Sequence, residues 1–352
     1  MSININSPKF KIAFASSSDF CLPIAQYLHQ NQGKTLRELV GNLDINCSGV
    51  STLKNAFDLP IELSIIISQP DTINRGKVIS NPVVTWAKSQ NLNIWTPQKF
   101  NSERKEFFDP LGIDIVVTAS FGQLVSSSSL LSTSFGFINW HPSLLPLYRG
   151  ATPLQSTIFN GDKQCGLTWI TMTKGMDEGA ILLQIPQKLE DTDTFTTKIY
   201  ELGKLGGETV ILAIVNQILN NSTTQDVTKV VFCSKLDKEN RFFDPNLMSA
   251  QQVFNKYKAH IQFPQTVFVD EYFGCEVKIN SCDIIDSSEI LVGDQVSKNK
   301  YSSWLVVKNN KKQIVFLVCK DETVLRVDRI TLSSGKQINF SGYQFEISDS
   351  DN

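Results

Sequence analysis

Nowhere in this 352-residue chain is there an apolar run of about 18 residues, so no membrane-spanning helix is expected. The N-terminal MSININSPKF lacks the basic-then-apolar order of a signal peptide. Neither sign of charge is in excess: 33 Lys+Arg stand against 35 Asp+Glu, a net charge of −2. That argues against a strongly basic nucleic-acid binder, though not against a local basic patch. The seven cysteines, at 21, 47, 165, 233, 275, 282 and 319, are odd in number and scattered, and no two have CxxC spacing. Reduced structural thiols in a cytoplasmic protein are the expectation, and no four-ligand zinc set is present, so no metal is expected. The turn after the first apolar strand reads ASSSDF, without the glycines that let backbone approach a pyrophosphate. A dinucleotide cradle is thereby excluded.

What is present is an ordinary globular composition, 41% hydrophobic and 10% aromatic, in a chain long enough for two domains. KIAFASSSDF (11–20) reads as strand and turn, with Ser18 or Asp19 placed to cap the helix of FCLPIAQYLHQ. ELSIIIS (62–68) and IDIVVTAS (113–120) are continuous apolar runs, the pattern of strands buried on both faces. Helical NPVVTWAKSQ (81–90) and strand-like NIWTP (93–97) lie between them, so a doubly wound α/β domain follows. GLTWITMT (166–173) is a further strand, and a turn and another strand follow in MDEGAILLQIPQKL (176–189). From 195 to 219 apolar residues recur at helical spacing, with Gly206-Gly207 predicting a break into two helices. The polar stretch 220–226 has linker character, and beyond it short β-rich segments predict a small antiparallel sheet or barrel. The span 31–60 lengthens the connection after the first helix.

The chemistry centres on FINWHPSLLPLYRG (137–150). Asn139 and His141 are two apart, so on a strand both side chains point the same way. An amide donates to a carbonyl oxygen, and an imidazole donates another hydrogen bond or moves a proton near neutral pH. Pro142 and Pro146 stiffen the chain that follows. Amide and imidazole aimed at one oxygen make an oxyanion-stabilising pair for acyl transfer. Asp177, just after the strand 166–173, supplies a carboxylate, which a parallel neighbouring strand would bring to the same sheet edge. No serine or cysteine lies in a nucleophile elbow, so the nucleophile arrives with a substrate. Each residue alone also has an ordinary structural reading: a satisfied polar histidine, a turn aspartate, a strand-end asparagine.

Together, NWHPSLLPLYRGATPLQ, then GD at 161–162, GLT at 166–168 and MDEGAIL at 176–182, resemble the signature of the folate-dependent formyltransferases. The resemblance implies that Asn139 and His141 polarise the formyl group of 10-formyltetrahydrofolate. It also implies that Asp177 positions a proton-accepting water and holds the histidine charge, with the acceptor's amine attacking the formyl carbon. Within that family the similarity is to the members that formylate initiator methionyl-tRNA, on three further stretches. FASSSDF stands where those have F-A-G-T-P-[DE]-F. QPDTINRGK resembles their loop that touches the tRNA acceptor end. A β-rich C-terminal region follows SKLDKENRFFD. The implied architecture is a Rossmann-like formyltransferase domain over 9–220 with 31–60 as an insertion, a linker at 221–228, and an OB-like domain over 229–346.

By the same resemblance the pterin meets the main chain of TASFGQLVSSSSLL (118–131), whose tip is Phe121, Gly122 and Gln123. Ser143, Leu144, Leu145 and Pro146 join the folate site. Arg75, Lys77 and Arg149 are assigned to tRNA, a structural salt bridge being the alternative for Arg149. The chain departs from the pattern in the first turn, which lacks the glycine and proline, and in the 69–84 loop, whose cations are Arg75 and Lys77. Basic and acidic residues nearly balance from 223 onward. An amino sugar nucleotide as acceptor, a formyltetrahydrofolate hydrolase, or an RNA-binding module with a decayed catalytic domain are the competing readings; the intact Asn/His/Asp set speaks against the last. No obligate protein partner is implied.

Overall fold

A computed structural model of the chain describes residues 9–41, 56–74, 76–284, 295–298, 303–308 and 313–345. It divides into two compact units, the first running up to Pro153 and through Gln164–Lys188 and Thr197–Cys233. The second comprises Leu154–Lys163, Leu189–Thr196 and the described residues from Ser234 onward.

The first unit is built on a seven-stranded sheet. Its strands are β1 (Phe10–Ser16), β2 (Ile61–Ile67), β3 (Ile94–Trp95), β4 (Ile115–Ala119), β5 (Phe137–His141), β6 (Gln164–Thr171) and β7 (Ile181–Lys188). They lie in the order β7-β6-β5-β4-β1-β2-β3. Strands β5, β4, β1, β2 and β3 are parallel, as their buried apolar runs predict, whereas β6 and β7 are antiparallel. The sheet is therefore mixed, and the chain reverses direction of winding between β1 and β4. In open α/β sheets ligands bind outside the carboxyl ends of strands at such a switch point.

Helix α1 (Leu22–Gln30) is reached through a 3-10 turn at Asp19–Cys21, and neither Ser18 nor Asp19 caps it. The Asp19 carboxylate instead accepts from Phe20 N–H and from the Tyr200 hydroxyl. That hydrogen bond pushes the Tyr200 phenol up to about 12. Helix α2 (Pro82–Ser89) is capped by Asn81, whose side chain accepts from Val83 and Val84 N–H. Helix α3 (Phe100–Phe107) follows β3 and buries Phe100 in a core with Ala13, Ile67, Val116, Phe121 and Phe137.

The stretch expected to break at Gly206-Gly207 is one continuous helix, Phe195–Ile218. Its glycines serve close approach. A Cβ at Gly203 would lie 1.8 Å from Phe20 O, and one at Gly207 would lie 2.6 Å from Pro23 O. A helix tolerates a glycine at a cost of about 1 kcal/mol, which packing at that distance offsets. Within the inserted span, Leu36–Val40 form a short helix with a Thr35/Glu38 capping box. The loop 69–84 carries a two-stranded hairpin, Thr72–Asn74 with Lys77–Ile79. The polar stretch after the long helix is held to this unit, where Thr223 and Ile181 exchange both backbone hydrogen bonds.

The second unit holds an antiparallel sheet of β8 (Val267–Asp270), β9 (Cys275–Asp283), β10 (Gln295–Lys298), β11 (Trp304–Lys308), β12 (Gln313–Val318), β13 (Val324–Leu332) and β14 (Gln337–Asn339). The path is β8-β9-β13-β12-β11-β10, with β14 pairing β13. A helix at Ala250–Ala259, started by a Ser249/Gln252 capping box, packs on this antiparallel, β-rich domain. Trp304, Phe268, Phe316 and Phe340 are fully buried there. Cys21, Cys165, Cys282 and Cys319 are buried thiols, and no described cysteine is in a disulfide. Among the described residues no helix is long and apolar enough to cross a membrane.

Candidate active site

The amide and the imidazole sit at the carboxyl end of β5, next to β4, whose register pairs Thr118 with Asn139. Thr118 lies in an otherwise apolar strand, IVVTA, and its hydroxyl reaches Asn139 Oδ1 at 2.8 Å. With Oδ1 accepting there, the NH2 of Asn139 has no internal partner among the described residues. It is the group left to donate to an oxygen brought by a ligand.

His141 is 3% exposed. Its Nε2 lies 2.9 Å from the Tyr148 carbonyl, an atom that can only accept, so Nε2 carries a hydrogen. The other nitrogen, Nδ1, faces Asp177 Oδ2 at 3.7 Å. That is an ion-pair distance rather than a hydrogen bond. The loop from 142 to 148 is held in the shape this requires by Ser143, Thr168 and Gln184. Ser143 Oγ donates to Leu147 O at 2.7 Å, and Thr168 Oγ1 donates to Ser143 O at 2.7 Å. Thr168 Oγ1 also accepts from Leu145 N–H, and Gln184 donates to Leu145 O. The Leu145–Pro146 peptide is cis.

Asp177 does not arrive by a parallel strand. β6 is antiparallel to β5, with His141 opposite Thr168 and Ile138 opposite Thr171. The turn from 172 to 180 folds back instead and places Asp177 in the left-handed region, at φ +52°. Gly150 N–H donates to Asp177 Oδ2 at 2.9 Å. Gly150 has φ +127°, and a Cβ there would lie 2.1 Å from Cys233 O, so only glycine brings this N–H to the carboxylate.

Arg149 is placed differently from the tRNA contact assigned to it. It is 7% exposed and donates from Nε and Nη2 to Gln225 Oε1 at 3.0 and 2.9 Å. Its guanidinium therefore faces the interior of the fold rather than a polyanion at the surface. Lys77 is exposed on the hairpin with Ile73, Val78 and Ile79; Arg75 lies outside the described residues.

At the tip after β4, Phe121 is buried in the core and Gln123 is turned inward. Gln123 accepts from Phe100 N–H and donates to Pro97 O. Gly122 is at φ +78°, and the main-chain groups of Gly122 and Gln123 have no internal partner among the described residues. Ser17, and Ser18 at the position of the family's proline, knit this tip to the first turn. Ser17 Oγ accepts from Gln69 N–H, Gln69 Nε2 donates to Phe121 O, and Ser18 meets Ser120 at 2.9 Å. Ser143 and Leu145 are buried, while Leu144 and Pro146 are half-buried. Among the described residues no group of three His, Cys, Asp or Glu side chains could hold a metal ion.

Sequence reasoning missed Thr118, Tyr148, Gln184 and Gln225. Thr118 had a signal, a lone hydroxyl in a buried apolar strand beside the motif. Tyr148 acts through its carbonyl and Gln225 sits in a polar stretch, so neither shows a pattern.

A family model described as Formyl transferase matches residues 51–214. Over 254 residues the chain is 30% identical to methionyl-tRNA formyltransferase of Staphylococcus aureus strain Newman, covering 71% of this chain and 81% of that one. Among solved structures, it is similar to a sugar 3N-formyltransferase crystallised with dTDP and 5-N-formyl-THF, with TM-score 0.53, 16% identity, and 90% and 97% of the two chains covered. It is also similar to an N-formyltransferase of Helicobacter canadensis, with TM-score 0.56, 14% identity, and 90% and 98% covered. The solved structures share the fold, and the bacterial relative sets the family. The chain belongs to the formyl transferase family and is a one-carbon group transferase.

Proposed function

We propose that this enzyme transfers the formyl group of 10-formyltetrahydrofolate to the amino group of initiator methionyl-tRNA, for translation initiation. The observation that carries the reading is the convergence of the Asn139 amide, His141 and Asp177 at the end of β5. The acceptor is supported by the 30% identity to a methionyl-tRNA formyltransferase over most of both chains.

In this reading the neutral amine of the aminoacyl-tRNA attacks the formyl carbon. The new C–N bond forms as the carbonyl electron pair moves onto oxygen. Asn139 Nδ2 and the Nδ1–H of a protonated His141 donate to that oxyanion, in a site where most of His141 is already out of water. Asp177 balances the imidazolium charge. Its carboxylate takes up, through a water, the proton lost by the new ammonium. The tetrahedral carbon then collapses, the bond to N10 breaks, and the proton passes to N10 of tetrahydrofolate. The main-chain groups of Gly122 and Gln123, with Leu144 and Pro146, hold the folate, and Arg75 and Lys77 meet the tRNA acceptor end.

The test is transfer of labelled formyl from 10-formyltetrahydrofolate to charged initiator methionyl-tRNA, uncharged tRNA and amino sugar nucleotides. Label on methionyl-tRNA alone is the expected result. Label on the sugar nucleotide, or formate released without any formylated acceptor, overturns the acceptor and leaves the donor chemistry standing.

A further inference from the structure

Gln225 lies in the polar stretch after the long helix, yet it is 4% exposed and its amide is fully engaged. Its Oε1 accepts both Nε and Nη2 of Arg149. Its Nε2 donates to Asp177 O at 2.8 Å and Gly179 O at 2.7 Å. All four hydrogen-bonding positions of the amide are used. Its orientation is fixed, because a guanidinium only donates and peptide carbonyls only accept. Turning the amide over would oppose donor to donor and acceptor to acceptor at every contact.

These bonds fall on the two sides of one turn. Asp177 is in the left-handed region, which a non-glycine residue enters only with support from its surroundings. Gly179, two residues on, approaches so closely that a Cβ there would lie 1.7 Å from Thr171 O. The peptide groups of Asp177 and Gly179 are the ones that Gln225 grips. On the other side of the turn Gly150 N–H holds the Asp177 carboxylate, and Arg149, bound to Gln225, is its neighbour in the chain. The Arg149-Gly150 pair and the Asp177 turn are thus clamped together by one side chain. The segment bearing it is pinned by the Thr223–Ile181 pair.

We propose that Gln225 is a positioning residue for formyl transfer: by holding the carbonyls of Asp177 and Gly179 and the guanidinium of Arg149 together, it sets the Asp177 carboxylate against His141. This rests on Asp177 taking part in the reaction, as described above. Gln225 touches no substrate and acts through Asp177.

The discriminating experiment is a double-mutant cycle of Gln225→Glu with Asp177→Asn, read in kcat per correctly folded enzyme and in the KM for 10-formyltetrahydrofolate. A glutamate still accepts from Arg149 but has no N–H for the two carbonyls. Gln225→Glu in the parent is expected to lower kcat by about 10- to 100-fold, with KM for the donor within about threefold. In the Asp177→Asn background the same change is expected to cost less than about threefold. An equal loss in both backgrounds, or a parent loss below threefold, overturns the proposal. Asp177→Asn at the parent rate would overturn instead the reading on which it rests. Should Gln225→Glu fail to fold, the pair Arg149→Met with Gln225→Leu removes guanidinium and amide together, stranding no buried charge. Its loss of kcat is expected to vanish in the Asp177→Asn background in the same way, and its persistence there overturns the proposal.

Discussion

The backbone N–H of Gly150 donates to Asp177 Oδ2 at 2.9 Å, joining the last residue of the FINWHPSLLPLYRG stretch to a carboxylate 27 positions later in the chain. The same oxygen faces His141 Nδ1 at 3.7 Å. That stretch therefore addresses one carboxylate twice, through its histidine from β5 and through its last glycine from the short ladder formed with Phe232 and Cys233.

Gly150→Ala is the sharpest test of this geometry. The added Cβ meets Cys233 O at 2.1 Å, and φ +127° is closed to alanine without strain. The chain must shift on one side or the other. A loss of about 2 kcal/mol or more in unfolding free energy is expected, together with a lower rate at temperatures where the variant is folded. Urea titration with parallel activity assays checks it. Unchanged stability and rate would mean that the two strands separate freely and that the glycine is incidental.

Removing the reacting groups should be read in kcat. Asn139→Ala and His141→Ala are each expected to lower the rate by at least about two orders of magnitude, the usual cost of one oxyanion donor. Asp177→Asn keeps the shape and removes the charge; a loss of about 100-fold in kcat with little change in donor KM is expected. Steady-state kinetics at saturating donor decide it. Near-parent turnover in both the Asn139 and His141 variants would remove the mechanism.

Thr118→Val keeps the volume of the β4 side chain and deletes the hydroxyl bonded to Asn139 Oδ1. Asn139 is then free to turn its amide away from the reacting oxygen. The expected outcome is about a tenfold fall in kcat, beside a stability loss of about 1 kcal/mol for one hydrogen bond. A stability loss without any change in kcat would assign Thr118 to the fold alone.

How much of this was legible depends on which force writes which signal. Strands β1, β2 and β4 were readable because burial on both faces demands unbroken apolar runs. The C-terminal strands were readable as short β-rich segments between turn residues. The pairing of Asn139 with His141 follows from strand periodicity alone. Strand direction left no such mark. Nothing in GLTWITMT distinguishes an antiparallel β6 from a parallel one, so the parallel neighbour expected to carry Asp177 had no mark in the sequence to correct it. Gly206-Gly207 misled because a glycine pair signals a break locally, while here the approach of Pro23 and Trp140 decides. Arg149 looked like a surface cation because its partner, Gln225, is 76 positions away in the sequence. Contacts of that range, carried by single polar atoms, have no local pattern.

The second unit supplies a prediction with a pH sign. His260 follows the helix Ala250–Ala259, is 5% exposed, and stacks on Phe159 with ring centroids 6.1 Å apart. Burial first, and then the nearby Lys256 ammonium, push its imidazole down from 6.5 to about 4. Its Nδ1 has no hydrogen-bond partner among the described residues. Below pH 6.5 the unfolded chain takes up a proton at this histidine that the folded chain does not accept until about pH 4. Stability from this group is therefore whole above about pH 6.5 and falls as pH drops toward 4, by up to about 3 kcal/mol. Other groups add to the pH dependence, among them Asp270, whose carboxyl burial raises, so the informative quantity is a difference. His260→Phe keeps an aromatic ring against Phe159 and cannot take a proton. The fall in unfolding free energy between pH 7 and pH 5 should be smaller in that variant than in the parent, by about 1 to 2 kcal/mol. Equal falls in the two proteins would mean that His260 takes up its proton in the folded chain as readily as in the unfolded one, and the buried, neutral imidazole would have to be abandoned.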